Sequence, residues 1–502
     1  MIKGSIDKLF DKEILKQKNF SDILKCTSHF YPNKIFIVEN DNSFSFKEFD
    51  ELVDQCCQYF INLNLKAKNV VTLLLPNSIE FIILYFACIR YGLVVSPIPS
   101  SSNMSNIKHS IKLSKSKIIY SEKRIYFKEK IQNIVIKDLS FFLKKLKKFE
   151  IKKFDKKIIS NSTAVYYFSS GTTSLPKLIK YSHHAMVQCQ KLLNKSNFLP
   201  KFSNHMSFLP LGHTASMRYS IKNAIVNVGT VFLYKNYWSI KDYFWKEIKK
   251  KNINFVGVVP TILQAIYINS SKIKKIPSLK FFGCGSSILS KNLQIQFEKK
   301  FQTKIANIYG MSEIGVATID NPYKKNRKIG SIGQNLKNVK IQLFDKCKKI
   351  ISSNTIGEIG IKTPAMFSGY IPRRRSDFFK KNRYFMSGDL ALKRNNFFYF
   401  IDRSKDIIIK GGVNISPQEI DDCLISNNKV LESASISIKD KFFGENIKSY
   451  VVLKRAGSVK KEELMIYCKN RLGQYKTPSQ LVFVANLPKT ASGKILKRLL
   501  KD

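Results

Sequence analysis

The sequence predicts an α/β protein built from more than one domain. Strand-like apolar runs alternate with helix-length amphipathic stretches, the pattern of a largely parallel sheet covered by helices. A chain of 502 residues, 44% hydrophobic and 12% aromatic, buries a large core and exceeds one ordinary domain. The last 100 or so residues mix strand and helix patterns, enough for a small α+β unit.

Taken in chain order, the N-terminal MIKGSIDKLFDKEILKQKNF scatters charge where a secretory signal needs an apolar run, so no signal peptide is expected. VVTLLL (70–75) reads as a buried strand, followed by a helix from Ile79. The apolar stretch Ile79–Pro99 is broken by Glu80, Arg90 and Pro97, short of the roughly 20 residues of a membrane span. It reads as a buried helix entering a buried strand. Further strands are predicted at Ala164–Phe168, Asn254–Val259, Lys280–Gly283 and Lys340–Phe344. There is no internal repeat and no long Pro/Gly/Ser linker. A domain boundary is expected near Asp402–Lys405, where FFYFI gives way to DRSKD, dividing the chain into 1–402 and 403–502.

Lys and Arg total 86 against 36 Asp and Glu, a net charge of +50. Such an excess ordinarily points to nucleic acid or an anionic membrane. Here the lysines spread along the whole chain beside abundant Ile and Asn, which looks like compositional drift. The densest run, KKLKKFEIKKFDKK (144–157), holds eight lysines, and Leu143, Leu146 and Phe149 could form one side of a basic amphipathic segment. A solvated face is the plainer reading, membrane contact the sharper one. No nucleic-acid-binding signature supports a nucleic-acid partner. Nine cysteines without CxxC or Cys/His ligand spacing read as reduced thiols of a cytoplasmic protein, not as a zinc site.

Four segments carry chemistry. Ser169-Ser170-Gly171-Thr172-Thr173-Ser174-Leu175-Pro176-Lys177 directly follows a predicted strand, where hydroxyls and free backbone N–H groups can face a phosphate. It is not the GxxxxGK[ST] loop, and alone it is equally a plain turn. In Asn307-Ile308-Tyr309-Gly310-Met311-Ser312-Glu313, the tyrosine could stack on a purine and the glutamate offers a hard oxygen for Mg²⁺. Ser387-Gly388-Asp389 precedes Asp402-Arg403-Ser404-Lys405-Asp406 and Gly411-Gly412. The tail Pro488-Lys489-Thr490-Ala491-Ser492-Gly493-Lys494 presents one lysine on a glycine-supported turn. Each alone could be a turn or a surface cluster; their joint order is informative.

In that order the chain resembles the adenylate-forming superfamily of acyl-CoA synthetases, peptide-synthetase adenylation domains and beetle luciferases. SSGTTSLPK, YGMSE, GEIGIKTPAMFSGY (357–370), SGD, DRSKDIIIKGG and PKTASGK fall in the family's sequence, and LPNSIEFIILYFACIRYGLVVSPIP (75–99) resembles its first helix–strand unit. The likeness spans about residues 30–500. Ser174 and Leu178 depart from it, standing where the family usually has glycine. The resemblance implies a large N-terminal domain of α/β subdomains plus a β-barrel-like part, with a small mobile C-terminal domain.

It also implies a reaction: ATP-dependent activation of a carboxylate as an acyl-adenylate, then transfer to the thiol of CoA or of a carrier protein's phosphopantetheine. Ser169, Ser170, Gly171, Thr172, Thr173 and Lys177 would hold the phosphates, and Glu313 with Thr172 the Mg²⁺. Gly283 and Gly285, in the segment Gly283–Ser287, would flank adenine with Tyr309, Gly310, Met311 and Ser312, and Asn307 would lie at its edge. Asp389 and Arg403 would bind ribose. Lys494 would be the mobile cation of the first step, Lys405 the hinge, and Gly412 part of the segment brought to the pantetheine in the second step. His213 matches a residue bordering the acyl pocket, read as wall more than general base. Retention of Glu313, Asp389, Arg403 and Lys494 together argues against a non-catalytic scaffold descendant.

From Leu178 to Lys241 there is no Asp or Glu. Amino-acid-activating relatives place an aspartate in this region for the α-ammonium, so an apolar or aromatic acid is expected in preference to an amino acid.

Overall fold

The computed structural model describes residues 2–127, 131–168, 177–196, 199–271, 273, 275–352, 354–372, 384–490 and 493–500. Val70–Leu74 is a fully buried strand inside a seven-stranded sheet, paired on both sides by Val94–Pro97 and Ile118–Ser121. In strand order that sheet runs Gly369–Ile371, Leu178–Ser182, Thr163–Phe168, Val94–Pro97, Val70–Leu74, Ile118–Ser121 and Gln132–Val135. Its last five strands are parallel; Leu178–Ser182 and Gly369–Ile371 add antiparallel to one edge.

A second sheet of nine strands has a parallel centre formed by Lys304–Met311, Phe281–Gly285, Phe255–Val258, Asn204–Ser207, Thr230–Leu233 and Ile35–Glu39. The part expected to be barrel-like is a four-stranded antiparallel sheet of Lys340–Phe344, Ile356–Lys362, Phe385–Arg394 and Phe397–Arg403. Every strand predicted from the sequence lies within two residues of an observed one. Past Arg403 the chain enters another sheet, of Ile408–Lys410, Val413–Ile415, Val430–Asp440, Gly444–Leu453 and Gln480–Phe483. The helices Pro417–Ser426 and Lys461–Leu472 help to build its own hydrophobic core.

The helix Ile79–Tyr91 shows why hydropathy alone misleads. All thirteen of its residues are buried, which suits a helix that is apolar on every side. Ser78 caps its start by accepting from the Phe81 N–H, and Gly92 ends it with φ +82. Arg90 ionises safely inside because Asp50 and Asp54 meet it there, the Asp54 oxygen at 2.8 Å. No helix among the described residues is long and apolar enough to cross a membrane.

The lysine-rich run gives no free amphipathic face. Its helix ends at Leu146, which is buried, and Phe149 and Phe154 turn inward onto the main core. The Phe154 ring stacks on Tyr91 at 5.2 Å. Those three apolar side chains are taken up by the core, while Ile151, at 60% exposure, and Lys144, Lys147, Lys148, Lys152 and Lys153 are left in solvent. All nine cysteines are free thiols.

Candidate active site

In a parallel sheet, ligand-facing side chains gather beyond the C-terminal strand ends. Here the strands Asn204–Ser207, Phe281–Gly285 and Lys304–Met311 all release functional segments at that edge. Tight packing sets several of the glycines. A Cβ on Gly283 would lie 2.7 Å from the Phe255 ring, and one on Gly310 would lie 2.2 Å from the Gly315 carbonyl oxygen across the turn after Met311. That turn projects Tyr309, Ser312 and Glu313, while half-buried Met311 packs on the core.

Asp389 is central. It pairs in register with Arg403 on the neighbouring strand, is only 4% exposed, and accepts a hydrogen bond from Tyr309 Oη at 2.8 Å. Arg403 Nε stands 3.5 Å from its other oxygen. Burial pushes the Asp389 carboxyl upward, and Arg403 opposes that shift. Buried Asn307 donates one side-chain N–H to the Ser331 carbonyl at 3.0 Å, which fixes the orientation of its amide.

Glu313 is held by a residue the motif reading did not single out. Tyr370 Oη donates to Glu313 Oε1 at 2.7 Å. Burial raises the glutamate's pKa, and the Tyr370 hydrogen bond opposes the shift. The Lys177 ammonium lies over the Tyr370 ring, 5.8 Å from its centroid. The three segments around Lys177, Glu313 and Tyr370 therefore converge. Ser169, Ser170, Gly171, Thr172 and Thr173, with Ser174–Pro176, lie outside the described residues.

The tail reaches the same place. Lys494 and Thr490 close a turn through the Thr490 N–H to the Lys494 carbonyl at 2.8 Å and the Lys494 N–H to Thr490 Oγ1 at 3.1 Å. Gly493, at φ +80, packs so tightly on Thr261 that a Cβ would lie 2.4 Å from its hydroxyl. Burial first, then Arg403, lowers the Lys494 pKa to about 8, while Asp389 draws it upward. In contrast, Gly412 is exposed, and a Cβ there would meet nothing within 4 Å. Lys405 is exposed between the two sheets it connects.

His213 follows a loop tied down by Asn77, which donates to the Leu209 carbonyl at 3.0 Å and accepts from the Leu211 N–H at 2.8 Å. Its Nδ1 accepts from the Ala215 N–H at 3.3 Å, leaving Nε2 as the protonated nitrogen. Burial, then Arg218 and Lys494, lowers its pKa to about 4. A neutral imidazole with its acceptor nitrogen engaged suits a pocket wall and makes a poor general base.

Behind His213 lies a small cavity whose lining includes Tyr167, Tyr181, Gln190, Thr214, Arg218 and Lys222. Thr214 Oγ1 lies 3.3 Å from Ser312 Oγ, joining this cavity to the Tyr309–Glu313 segment. The expected preference for an apolar or aromatic acid finds no support in this lining: two cationic side chains line it, and its aromatic walls are tyrosines. Arg218 lies in a π turn, Met217–Ile221, a geometry frequent at functional sites. The sequence signal for these cations was present in the acid-free stretch, which leaves them without a local carboxylate.

Comparison with known proteins places this geometry. The AMP-binding enzyme family matches residues 26–371, and the AMP-binding enzyme C-terminal domain matches 419–494. Sulfoacetate–CoA ligase of Cupriavidus necator is 28% identical over 339 residues, 67% of this chain and 66% of that protein, so the chain spans just under two thirds of its length. Medium-chain fatty-acid–CoA ligase of Escherichia coli is 24% identical, over 96% of this chain and 90% of that one. The o-succinylbenzoate CoA synthetase of Bacillus subtilis, solved with its acyl-adenylate intermediate, has the same fold at TM-score 0.85 and 23% identity, over 96% and 98% of the two chains.

Proposed function

The chain belongs to the AMP-binding enzyme family, and from that premise we propose that it is an acid–thiol ligase that activates a small carboxylic acid with ATP and passes the acyl group to CoA. The observation that carries this reading is the convergence of Lys494, from the tail, on Asp389 and Arg403 beside the Tyr309–Glu313 segment. The relatives described above are CoA ligases by name, which favours CoA over a carrier protein as acceptor.

A carboxylate is a poor electrophile. In the first step its oxygen forms a bond to the α-phosphorus of ATP while the bond to pyrophosphate breaks. Two anions must approach, so the site contributes positive charge and alignment more than covalent chemistry. Lys494 supplies that charge beside the reacting carboxylate. Asp389 holds the ribose hydroxyls, and Tyr309, with Gly283 and Gly285 nearby, bounds the adenine. Thr172, Thr173 and Lys177 receive the phosphates. The Glu313 carboxylate, a hard oxygen oriented by Tyr370, fits Mg²⁺, with Thr172 as a companion ligand; the ion would neutralise triphosphate charge. In the second step the thiol sulfur bonds to the acyl carbon and the bond to AMP breaks.

The two steps need different groups in one place. With Lys494 in the site and Gly412 in solvent, the arrangement suits the first. A rotation of residues 403–502 about Lys405 would withdraw the lysine and bring the Gly412 segment to the thiol. Nine free thiols suit a reducing compartment and favour a cytoplasmic location. The relatives' names range from sulfoacetate to medium-chain fatty acids, so family membership alone does not select the acid. An α-amino acid is disfavoured, since the 178–241 stretch offers no carboxylate for its ammonium.

The test is pyrophosphate exchange and AMP release over a panel of acids, with CoA and carrier protein offered in turn. Lys405→Pro should spare exchange and stall thioester formation, because a fixed φ resists the rotation. Equal loss of both steps would refute the hinge.

A further inference from the structure

We propose that the acid activated by this enzyme carries a second negative charge at its far end, which Arg218 and Lys222 hold in the cavity behind His213. This rests on the ligase reading above and specifies its substrate class.

Arg218 is 7% exposed and Lys222 5%. Among the described residues neither pairs with an acidic side chain, and the whole stretch 178–241 contains none. They stand four residues apart on one helical segment, so they share a face. Two like charges buried together oppose folding unless an anion joins them. Burial, and then Arg218, lowers the Lys222 pKa to about 7, which shows how closely the two cations interact.

The contacts they do have are uncharged: Arg218 shares a side-chain hydrogen bond with Tyr219. Lys222 Nζ lies 3.1 Å from Met186 Sδ, and faces the rings of Tyr85 and Phe20 at 5.2 and 5.6 Å. Cation–π contacts contribute about 0.5–2 kcal/mol each. Withdrawing an ion from water costs several kcal/mol. The rings therefore lessen the cost without cancelling it, and an anionic group would.

The cavity, of about 10 Å³, has room for one water-sized polar atom, a place an anionic oxygen of the acid would take. Tyr167 and Tyr181 line it with their hydroxyls engaged by Tyr85 Oη and the Ala365 carbonyl, and the buried Gln190 Oε1 has no hydrogen-bond partner. Position completes the case. His213 feels both Arg218 and Lys494, and Thr214, the residue after it, borders the cavity, so His213 stands near both sites. A short acid could place its reacting carboxylate toward Lys494 and its distal anion toward Arg218, passing along His213 and Thr214.

The experiment uses the full-length enzyme, short α,ω-dicarboxylates and their monomethyl esters, with AMP release as the readout. Wild type should turn over the diacids in preference to the esters. Arg218→Met should raise KM for the diacid by roughly 30-fold or more, the size expected when a buried charge partner is lost, and leave the ester little changed. Arg218→Lys should restore part of the diacid preference. Melting without ligand separates binding from a structural role: Arg218→Met should melt no lower than wild type, because it removes an unpaired buried charge. AMP release that favours esters in wild type and ignores Arg218→Met would overturn the proposal while leaving the ligase reading intact. If no acid releases AMP, the ligase reading fails. Calorimetric titration of the diacids then decides the anion site: binding lost in Arg218→Met supports it, and no binding to wild type overturns it.

Discussion

Arg90 and Arg218 are both almost fully buried, at 2% and 7% exposure, and they keep different company. Arg90 donates to Asp54 at 2.8 Å, to the Asp50 carboxylate, to the Asp50 carbonyl at 3.0 Å and to Ser21 Oγ at 2.9 Å. Its charge is matched by protein groups, and its work is to tie the helix Ile79–Tyr91 to the helix Phe46–Asn62. Arg218 faces tyrosines, Gln190 and a second cation. A buried charge with all its partners is part of the fold. One without a counter-charge is a place kept for a ligand, and the protein gives up some stability to keep it.

The comparison can be broken most forcefully at Arg90. Arg90→Met leaves Asp50 and Asp54 buried without their cation and should lower unfolding stability by about 3–5 kcal/mol in a denaturant titration. Arg218→Met should not lower it at all. Equal losses would place both arginines in the same structural class.

Next in size is the nucleotide side, where charges are matched until chemistry begins. Lys494→Ala should slow adenylation by roughly 10²–10³, the range for removing one preorganised charge donor. Thioester formation from supplied acyl-adenylate should persist, which single-turnover assays of each half-reaction would measure. Tyr370→Phe should act more mildly. It removes the hydrogen bond that orients Glu313 and should raise the Mg²⁺ concentration for half-maximal exchange by about 10-fold. Unaltered Mg²⁺ dependence would free Glu313 from the metal role.

The smallest effect is the pH profile, which sharpens the same contrast. Lys494 acts as a cation with a pKa lowered to about 8, so kcat/KM for a monocarboxylate should hold below that pH and fall above it. Lys222 is lowered to about 7, and must also be charged to hold a distal anion. The groups facing it are Arg218, Cys189, His183, Tyr85 and Phe20; burial holds His183 near 4, so it stays neutral over this range. For a dicarboxylate the fall should therefore begin one unit earlier, with about a fivefold extra loss between pH 7 and 8. Superimposable profiles for the two substrates would remove Lys222 from the site.

Much of the fold was legible before any coordinates. Val70–Leu74, Thr163–Phe168 and Lys340–Phe344 are apolar runs whose neighbours in sequence already mark their ends, and a local pattern is enough to specify a local element. The lysine-rich run 144–157 was ambiguous for the opposite reason. Leu146, Phe149 and Phe154 look like one face of a helix, but whether that face is free depends on Tyr91 and Gln55, far away in the chain. Glu313 was legible as a ligand type, but its holder Tyr370 was not, since 57 residues separate them.

By itself the sequence determined the chemical inventory: the order of the phosphate-loop, Tyr309–Glu313, Asp389, Arg403 and Lys494 segments, and an acid-free stretch from Leu178 to Lys241. Those are properties of residue type and spacing, which no packing can alter. Tertiary structure decided what the inventory means. It joined Tyr309 to Asp389 across 80 residues, brought Lys494 beside them, and set Arg218 and Lys222 inside rather than in solvent. The acid-free stretch supplies no carboxylate of its own to an ammonium in either case. Only burial turns it into a demand for an anion, because a lysine or arginine in water needs no counter-charge and one in a cavity does.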